Sequence, residues 1–488
     1  MAPPRPCRGV LSASSTTATP RARAPRGESR LQRHLQGAYR FDYSDTDQWP
    51  DTPICRARTI LPFLAPYVTH DRDAPVSVDA PTFERSRTLG HSFTLTWDVN
   101  DTNTLKSITA YRQLRWNDLL DLDGSPLPVA HTARSTGGRD WSYNAASQEL
   151  QLVGHTERFN YVGGLYYFKD SGFTYGPQNF FFNTFNFESD YGYGTKAWAA
   201  YGQADYKVTD AWTVTGGVRY TREKKELERY LGVRFDLTSP FFALTPLGTT
   251  AEHTFSATTP VLIVSYKFSD TVNAYAKYSQ GFKSGGFNGE YSEVPSDFTN
   301  PAIVSATIAN NIAESRTPFR PEKLKSYELG LKTSFADGRA TVNVAAFENK
   351  TDDMQLSIFT AAGAAGSIIR NAGKATTRGV EIEATWAPSD ALRLQASYGY
   401  LDAKYDRFMD AGVNEADNRA MIHAPKNTIN LLADARIVRT ALGDLRGTLD
   451  YSWTDDYYTY PYQLASSGPN YNPLRAIAGD TRVKSYGC

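Results

Sequence analysis

Between residues 89 and 454 the chain alternates two kinds of connection. Runs in which every second residue is apolar are joined first by a very short polar turn, then by a long polar or aromatic stretch. The short turns fall near 100–103, 155–157, 209–210, 269–270, 336–338, 387–390 and 439–443. The long connections fall near 46–88, 114–146, 170–195, 222–252, 283–322, 351–375 and 403–425. A period of two puts alternate side chains on opposite faces of a strand. Short links on one side and long ones on the other are what antiparallel neighbours need when they run up and down in chain order.

The runs are regular enough to assign faces. Trp212, Val214, Val218 and Tyr220 alternate with Thr213, Thr215, Arg219 and Thr221. Val380, Ile382, Ala384 and Trp386 alternate with Gly379, Glu381, Glu383 and Thr385. Leu445, Leu449, Tyr451 and Trp453 alternate with Arg446, Thr448, Asp450 and Ser452. A β-sandwich would alternate too. Three features favour strands that cross a bilayer: run lengths near the roughly nine to eleven residues a tilted strand needs, aromatic residues gathered near strand ends as in an interfacial girdle, and a connection rhythm that Greek-key sandwiches do not keep. The expected fold is all-β, an antiparallel up-and-down transmembrane β-barrel. Counting one more strand at 36–45 gives about fifteen strands. Single-chain bacterial barrels have even counts, and bare edges are not tolerated in lipid. Either the count misses a strand, or the barrel is incomplete and the chain is a piece of a larger one.

Composition narrows the function. Lys and Arg total 52 and Asp and Glu total 52, so no net charge favours nucleic acid. Cys7, Cys55 and Cys488 lie too far apart for metal or redox spacing. No run of about 18 apolar residues occurs, which excludes helical spans. The start, Met1-Ala2-Pro3-Pro4-Arg5-Pro6, has no apolar h-region, so no secretory signal peptide is expected. Residues 1–35 read as disordered or non-native sequence, one account being translation out of frame, and residues 36–488 as the barrel domain.

Several segments resemble one family, the TonB-dependent outer-membrane receptors. They are Tyr275 to Gly289 (YAKYSQGFKSGGFNG), Phe319 to Gly330 (FRPEKLKSYELG), and Asn371-Ala372-Gly373 continuing to Thr377 through Glu383. Gln148 to Leu152 and Gly216 to Glu223 are similar to it as well. The resemblance covers about residues 36–480. It implies a wall of about 22 strands around a plug, of which this chain would supply about 15, with early strands, closing strands and plug absent. It implies uptake of a scarce small-molecule ligand, often an iron–siderophore complex, driven by an inner-membrane energy-coupling protein. The box that would bind that protein is not visible here. The partners expected are outer-membrane lipid and such a ligand, with no nucleic acid, at the outer membrane. The other readings are a surface-binding barrel without transport, a passive porin, and a non-functional fragment.

Candidate ligand contacts lie in the most aromatic connection, Ser171 to Gly194. They are Phe173, Tyr175, Phe180, Phe181, Phe182, Tyr191 and Tyr193, since exposed rings can stack on a ring-bearing ligand. A second aromatic cluster is Tyr457, Tyr458, Tyr460, Tyr462 and Tyr471. Candidates facing the lumen are Arg219, Glu328, Glu381, Glu383 and Arg393, which either contact a plug or ligand or form cross-strand ion pairs. The seven histidines show no metalloprotease spacing, and Gly366 to Lys374 lacks the spacing of a phosphate loop. No catalytic residue, metal site or cofactor is expected.

Overall fold

The computed structural model describes residues 34–49, 62–69, 77–132, 137–360, 366–410, 412–459, 464 and 482–487. Residues 1–33, which hold nearly all of the segment read as disordered or non-native, lie outside them, as do Cys7, Cys55 and Cys488.

These residues form an antiparallel sheet of 19 strands. In chain order they are β1 (Leu35–Gln48), β2 (Phe83–Asn100), β3 (Asn103–Leu119), β4 (Ala130–His131), β5 (Arg139–His155), β6 (Phe159–Tyr175), β7 (Pro177–Phe180), β8 (Phe185–Lys207), β9 (Trp212–Arg234) and β10 (Phe242–Ser269). There follow β11 (Val272–Lys283), β12 (Glu322–Phe335), β13 (Ala340–Thr360), β14 (Gly366–Ser389), β15 (Leu392–Asp410), β16 (Val413–Asn414), β17 (Asn427–Thr440), β18 (Gly443–Tyr458) and β19 (Arg482–Gly487). Four of them, β4, β7, β16 and β19, have six residues or fewer. The others are the fifteen long strands that the alternation implies. No pairing joins β1 to β19 among the described residues. A 16-residue helix, α1 (Pro301–Arg316), lies in the connection between β11 and β12. Among the described residues no helix is long and apolar enough to cross a membrane.

The strands outrun the sequence expectation. β8 and β9 have 23 residues each and β10 has 28, so most of the stretch read as a loop at 222–252 is strand. On β9 the run Arg222 to Glu226 is charged on both faces, so the period-two signal breaks there although the ladder continues.

The short turns are closed by local polar chemistry. Asn100 Oδ1 accepts from the backbone N–H of Thr102 at 3.0 Å and from Asn103 Nδ2 at 3.0 Å. Thr209 Oγ1 accepts from the amides of Ala211 and Trp212 at 3.2 and 3.0 Å. Side chains that bond their own backbone two or three residues on are the usual builders of tight turns. At 336–338 three successive residues take φ values of 52°, 55° and 81°, the last at Gly338, where left-handed backbone costs no Cβ clash.

The contacts divide the chain into two units. One comprises Met1–Gln151, Tyr166–Lys196 and Glu226–Thr250, and its deepest apolar residues are Phe187, Leu231, Val233 and Leu244. The other comprises Leu152–Leu165, Ala197–Lys225 and Ala251–Cys488, with a cluster of Leu356, Ala375, Tyr405 and Phe408. Both cores lie toward the long-connection ends of the strands. Near the short turns the sheet is a single layer with large apolar side chains exposed on one face, among them Leu329 at 65%, Leu449 at 70% and Trp386 at 53%. In water such a face would be an association site. Against lipid it is the favoured surface.

Candidate functional site

The aromatic connection is a built structure in the first unit. β7 pairs with β8, setting Pro177 opposite Glu188 and Phe180 opposite Phe185. The turn between them carries Phe181, Phe182 and Asn183 at φ of 50°, 62° and 60°. Left-handed backbone is unusual for bulky residues and has to be held by its surroundings. Here Phe181 N–H donates to the Val129 carbonyl at 2.8 Å and Phe182 N–H to the Pro128 carbonyl at 2.7 Å. Thr184 Oγ1 closes the turn on the Phe181 carbonyl at 2.6 Å.

Beneath the turn, Phe187 is 1% exposed and meets Phe185 edge-on at 4.7 Å and Phe180 at 6.0 Å. Phe181 and Phe182 project outward at 47% and 50% exposure, and Phe63 stands 6.0 Å from Phe182. The seven candidate contacts thus fall into two groups. Phe180, Phe181 and Phe182 are at the tip. Phe173, Tyr175, Tyr191 and Tyr193 are on the shaft, where Tyr191 lies 6.3 Å from Tyr193, Tyr143 stacks on Tyr193 at 6.5 Å, and Tyr175 Oη donates to Glu188 Oε1 at 2.5 Å. Sequence reading missed Phe63, whose partner is far away in the chain, whereas Phe187 belongs to the aromatic stretch it singled out and is buried rather than exposed. In the second aromatic cluster, Tyr457 and Tyr458 lie on β18, whereas Tyr460, Tyr462 and Tyr471 fall outside the described residues.

Nearby, Asp121 and Asp123 in the connection from β3 to β4 and Asp79 ahead of β2 each place a carboxylate oxygen within 4.8 Å of the others. Asp121 Oδ1 accepts from the amides of Asp123 and Gly124 at 3.1 and 2.8 Å. Burial pushes the carboxyls of Asp121 and Asp123 above the usual range.

The polar-face candidates all lie in the second unit, opposite its apolar side chains. Glu328 accepts from Tyr275 Oη at 2.6 Å and meets Lys277 Nζ at 3.4 Å, while Lys332 Nζ sits 5.7 Å from the Tyr275 ring centre. Arg219 lies over the Tyr201 ring at 5.5 Å and donates to Thr221 Oγ1 at 3.1 Å. Glu381 and Glu383 stand two apart on β14, opposite Gly399 and Ser397 of β15, and Arg393 is in register with Asp434. The structure therefore joins Glu328 to Tyr275 and Lys277 and does not gather the five candidates into one site. Cross-strand ion pairs are present on this face, as Arg446 with Asp434 at 3.4 Å illustrates.

The chain thus carries an exposed aromatic tip and long paired strands joined by short turns, with one apolar and one polar face. Residues 17–487 match the family described as TonB dependent receptor-like, beta-barrel. The chain belongs to this family. Its members are transport receptors of the outer membrane. Among curated relatives, a pesticin receptor of Yersinia enterocolitica is 29% identical over 205 residues, covering 42% of this chain and 25% of the relative. The metal-pseudopaline receptor CntO of Pseudomonas aeruginosa is 26% identical over 208 residues, covering 41% and 25%. These matches span about a quarter of each relative. Among solved structures, the ferric yersiniabactin uptake receptor FyuA from Yersinia pestis superposes with a TM-score of 0.67 at 18% identity, covering 87% of this chain and 57% of that one. The ferric citrate transporter FecA gives 0.57 at 16%, covering 87% and 56%.

Proposed function

We propose that this protein contributes the wall and outer loops of a receptor for energy-coupled uptake of a scarce ligand, an iron–siderophore complex being the leading candidate. The observation that carries the reading is the family match over residues 17–487. It is supported by relatives and neighbours whose names specify ferric yersiniabactin, ferric citrate and metal–pseudopaline. On this reading residues 36–488 form the barrel domain, an inner-membrane protein supplies the energy, and the tip rings Phe181 and Phe182 meet the ligand. Aromatic side chains give large contact area for little lost rotamer freedom, which suits a ring-bearing chelator.

The test is uptake of radiolabelled iron from a panel of purified ferric siderophores, in cells with and without the gene. One chelate should enter only when the gene is present, and a protonophore should abolish entry. Uptake that is indifferent to the protonophore would support a passive pore instead. Surface binding without transport is the second reading, favoured by the name pesticin receptor and by a neighbour solved as a complex of FpvAI with pyocin S2.

A further inference from the structure

The cluster of Leu356, Ala375, Tyr405 and Phe408 gathers residues that plain alternation would keep apart. Tyr405 and Phe408 are three apart on β15, so an unbroken strand would turn them to opposite faces. The ladder slips here: Ala375 lies opposite Tyr405 and Lys374 opposite Arg407, which leaves Asp406 as the extra residue. Phe408 then falls opposite Gly373, and its ring meets that of Tyr405 edge-on at 5.1 Å. The ladder between β13 and β14 also slips on both sides of Met354, next to Asp353 at φ 53°. Bulges of this kind re-aim side chains. β16 then folds back on Met409 and Asp410. Asn414 Oδ1 accepts from the Phe408 amide at 2.9 Å, and the Glu415 amide donates to the Phe408 carbonyl at 2.8 Å. That return carries Arg419 over the Phe408 ring at 5.1 Å and brings Met421 to the cluster.

The chain has four methionines, and the three beyond Met1 all pack against this cluster. Met354 comes from β13, Met409 from β15 and Met421 from the connection between β16 and β17. Methionine fills irregular gaps in many cores, which accounts for one such residue and not for the gathering of all three. Each is half-buried, within reach of an oxidant as small as hydrogen peroxide. At the centre Tyr405 is 5% exposed, and its buried hydroxyl makes no hydrogen bond among the described residues. A phenol donates one hydrogen, and a thioether sulfur is only a weak acceptor for it. Oxidation turns the thioether into a polar sulfoxide, whose oxygen accepts a hydrogen bond well. The cluster lies at the long-connection end of the strands, which in outer-membrane barrels faces the outside.

We propose that Met354, Met409 and Met421 form an oxidation site for peroxides in the medium, built around Tyr405, whose hydroxyl donates to a sulfoxide oxygen formed there. In the step, a sulfur lone pair attacks one oxygen of the peroxide. The S–O bond forms as the O–O bond breaks, so the sulfur is oxidised and the peroxide reduced by the same electron pair. The proton on the transferred oxygen passes to the departing one, and hydrogen peroxide leaves as water. The site lies in the second unit alone, and its chemistry is independent of which ligand is transported.

The full chain is purified in detergent and treated with hydrogen peroxide, and its sulfoxides are located by peptide mass spectrometry. Heat-modifiable migration on a gel establishes that each sample is folded. Met354, Met409 and Met421 should all be oxidised in the folded protein. Unfolding by denaturant is then measured for wild type and Tyr405→Phe, before and after peroxide. In the reduced protein Tyr405→Phe removes a hydroxyl that bonds nothing, and should leave the unfolding constant within about twofold. In the oxidised protein it should raise that constant about fivefold, the worth of one hydrogen bond. Met354→Leu/Met409→Leu/Met421→Leu keeps apolar side chains of similar volume and all three cysteines. Peroxide should leave its unfolding unchanged, with Tyr or Phe at 405. Sulfoxides that form only after unfolding, an equal effect of Tyr405→Phe in both forms, or a peroxide response that survives in the folded triple variant overturns the proposal.

Discussion

The Tyr275 ring lies across Gly330, its partner in register on the neighbouring strand, in the space a side chain at 330 would occupy. A Cβ on Gly330 would stand 2.1 Å from Tyr275 Cε1. The glycine thereby lets the phenol lie flat on the polar face and reach Glu328 at 2.6 Å. Gly330→Ala should evict the ring, break this bond and cost about 1–3 kcal/mol. In a double-mutant cycle Gly330→Ala and Tyr275→Ala should be strongly non-additive. Additive losses in denaturant midpoint would mean that ring and glycine do not act as a unit.

At the aromatic tip, exposure and burial separate two outcomes. Phe187→Ala removes a ring that is 1% exposed and should destabilise the loop by about 3–5 kcal/mol. Phe182→Gly removes an exposed ring and relieves left-handed strain, so stability should hold or rise by about 1 kcal/mol. If the tip meets the ligand, Phe182→Gly should nevertheless lower ligand affinity several-fold in a binding titration. Unchanged affinity in the combined Phe181→Ala/Phe182→Gly variant would remove the tip from the binding surface.

Arg419 and Glu415 form an ion pair at 2.6 Å with side chains only 2% and 8% exposed. Arg419→Met leaves a buried carboxylate behind and should cost about 3–5 kcal/mol. Arg85 pairs with Asp47 at 3.3 Å, but both are more than half exposed, and Arg85→Met should change stability by about 0–1 kcal/mol. Chemical denaturation of the two variants side by side checks the contrast.

The loop carrying Asp121 and Asp123 should respond to pH with a definite sign. Burial raises both carboxyls above their unfolded value of 3.8. A raised carboxyl means the folded loop holds its protons more tightly than the unfolded chain. Its stability is therefore fullest below 3.8 and falls as pH rises through the raised values. Hydrogen exchange over residues 120–131, corrected for intrinsic rates, should show protection falling over that range. Asp121→Asn should flatten the profile, and protection that rises with pH would contradict the assignment.

The strand faces and the short turns were legible in the residues because both are local. Alternation at Val380 to Trp386 needs only the pleat of one strand, and the turn at Asn100 only a side chain that bonds its own backbone. That locality is why fifteen long strands could be counted and why Arg219, Glu328, Glu381, Glu383 and Arg393 could be assigned to one face. Strand length was not legible, since on β9 the charged run Arg222 to Glu226 interrupts the period while the strand continues. Register is the other thing the tertiary structure alone decided. It sets Tyr275 on Gly330 and Lys325 against Lys350, because pairing between strands is fixed by contacts that a linear pattern does not encode.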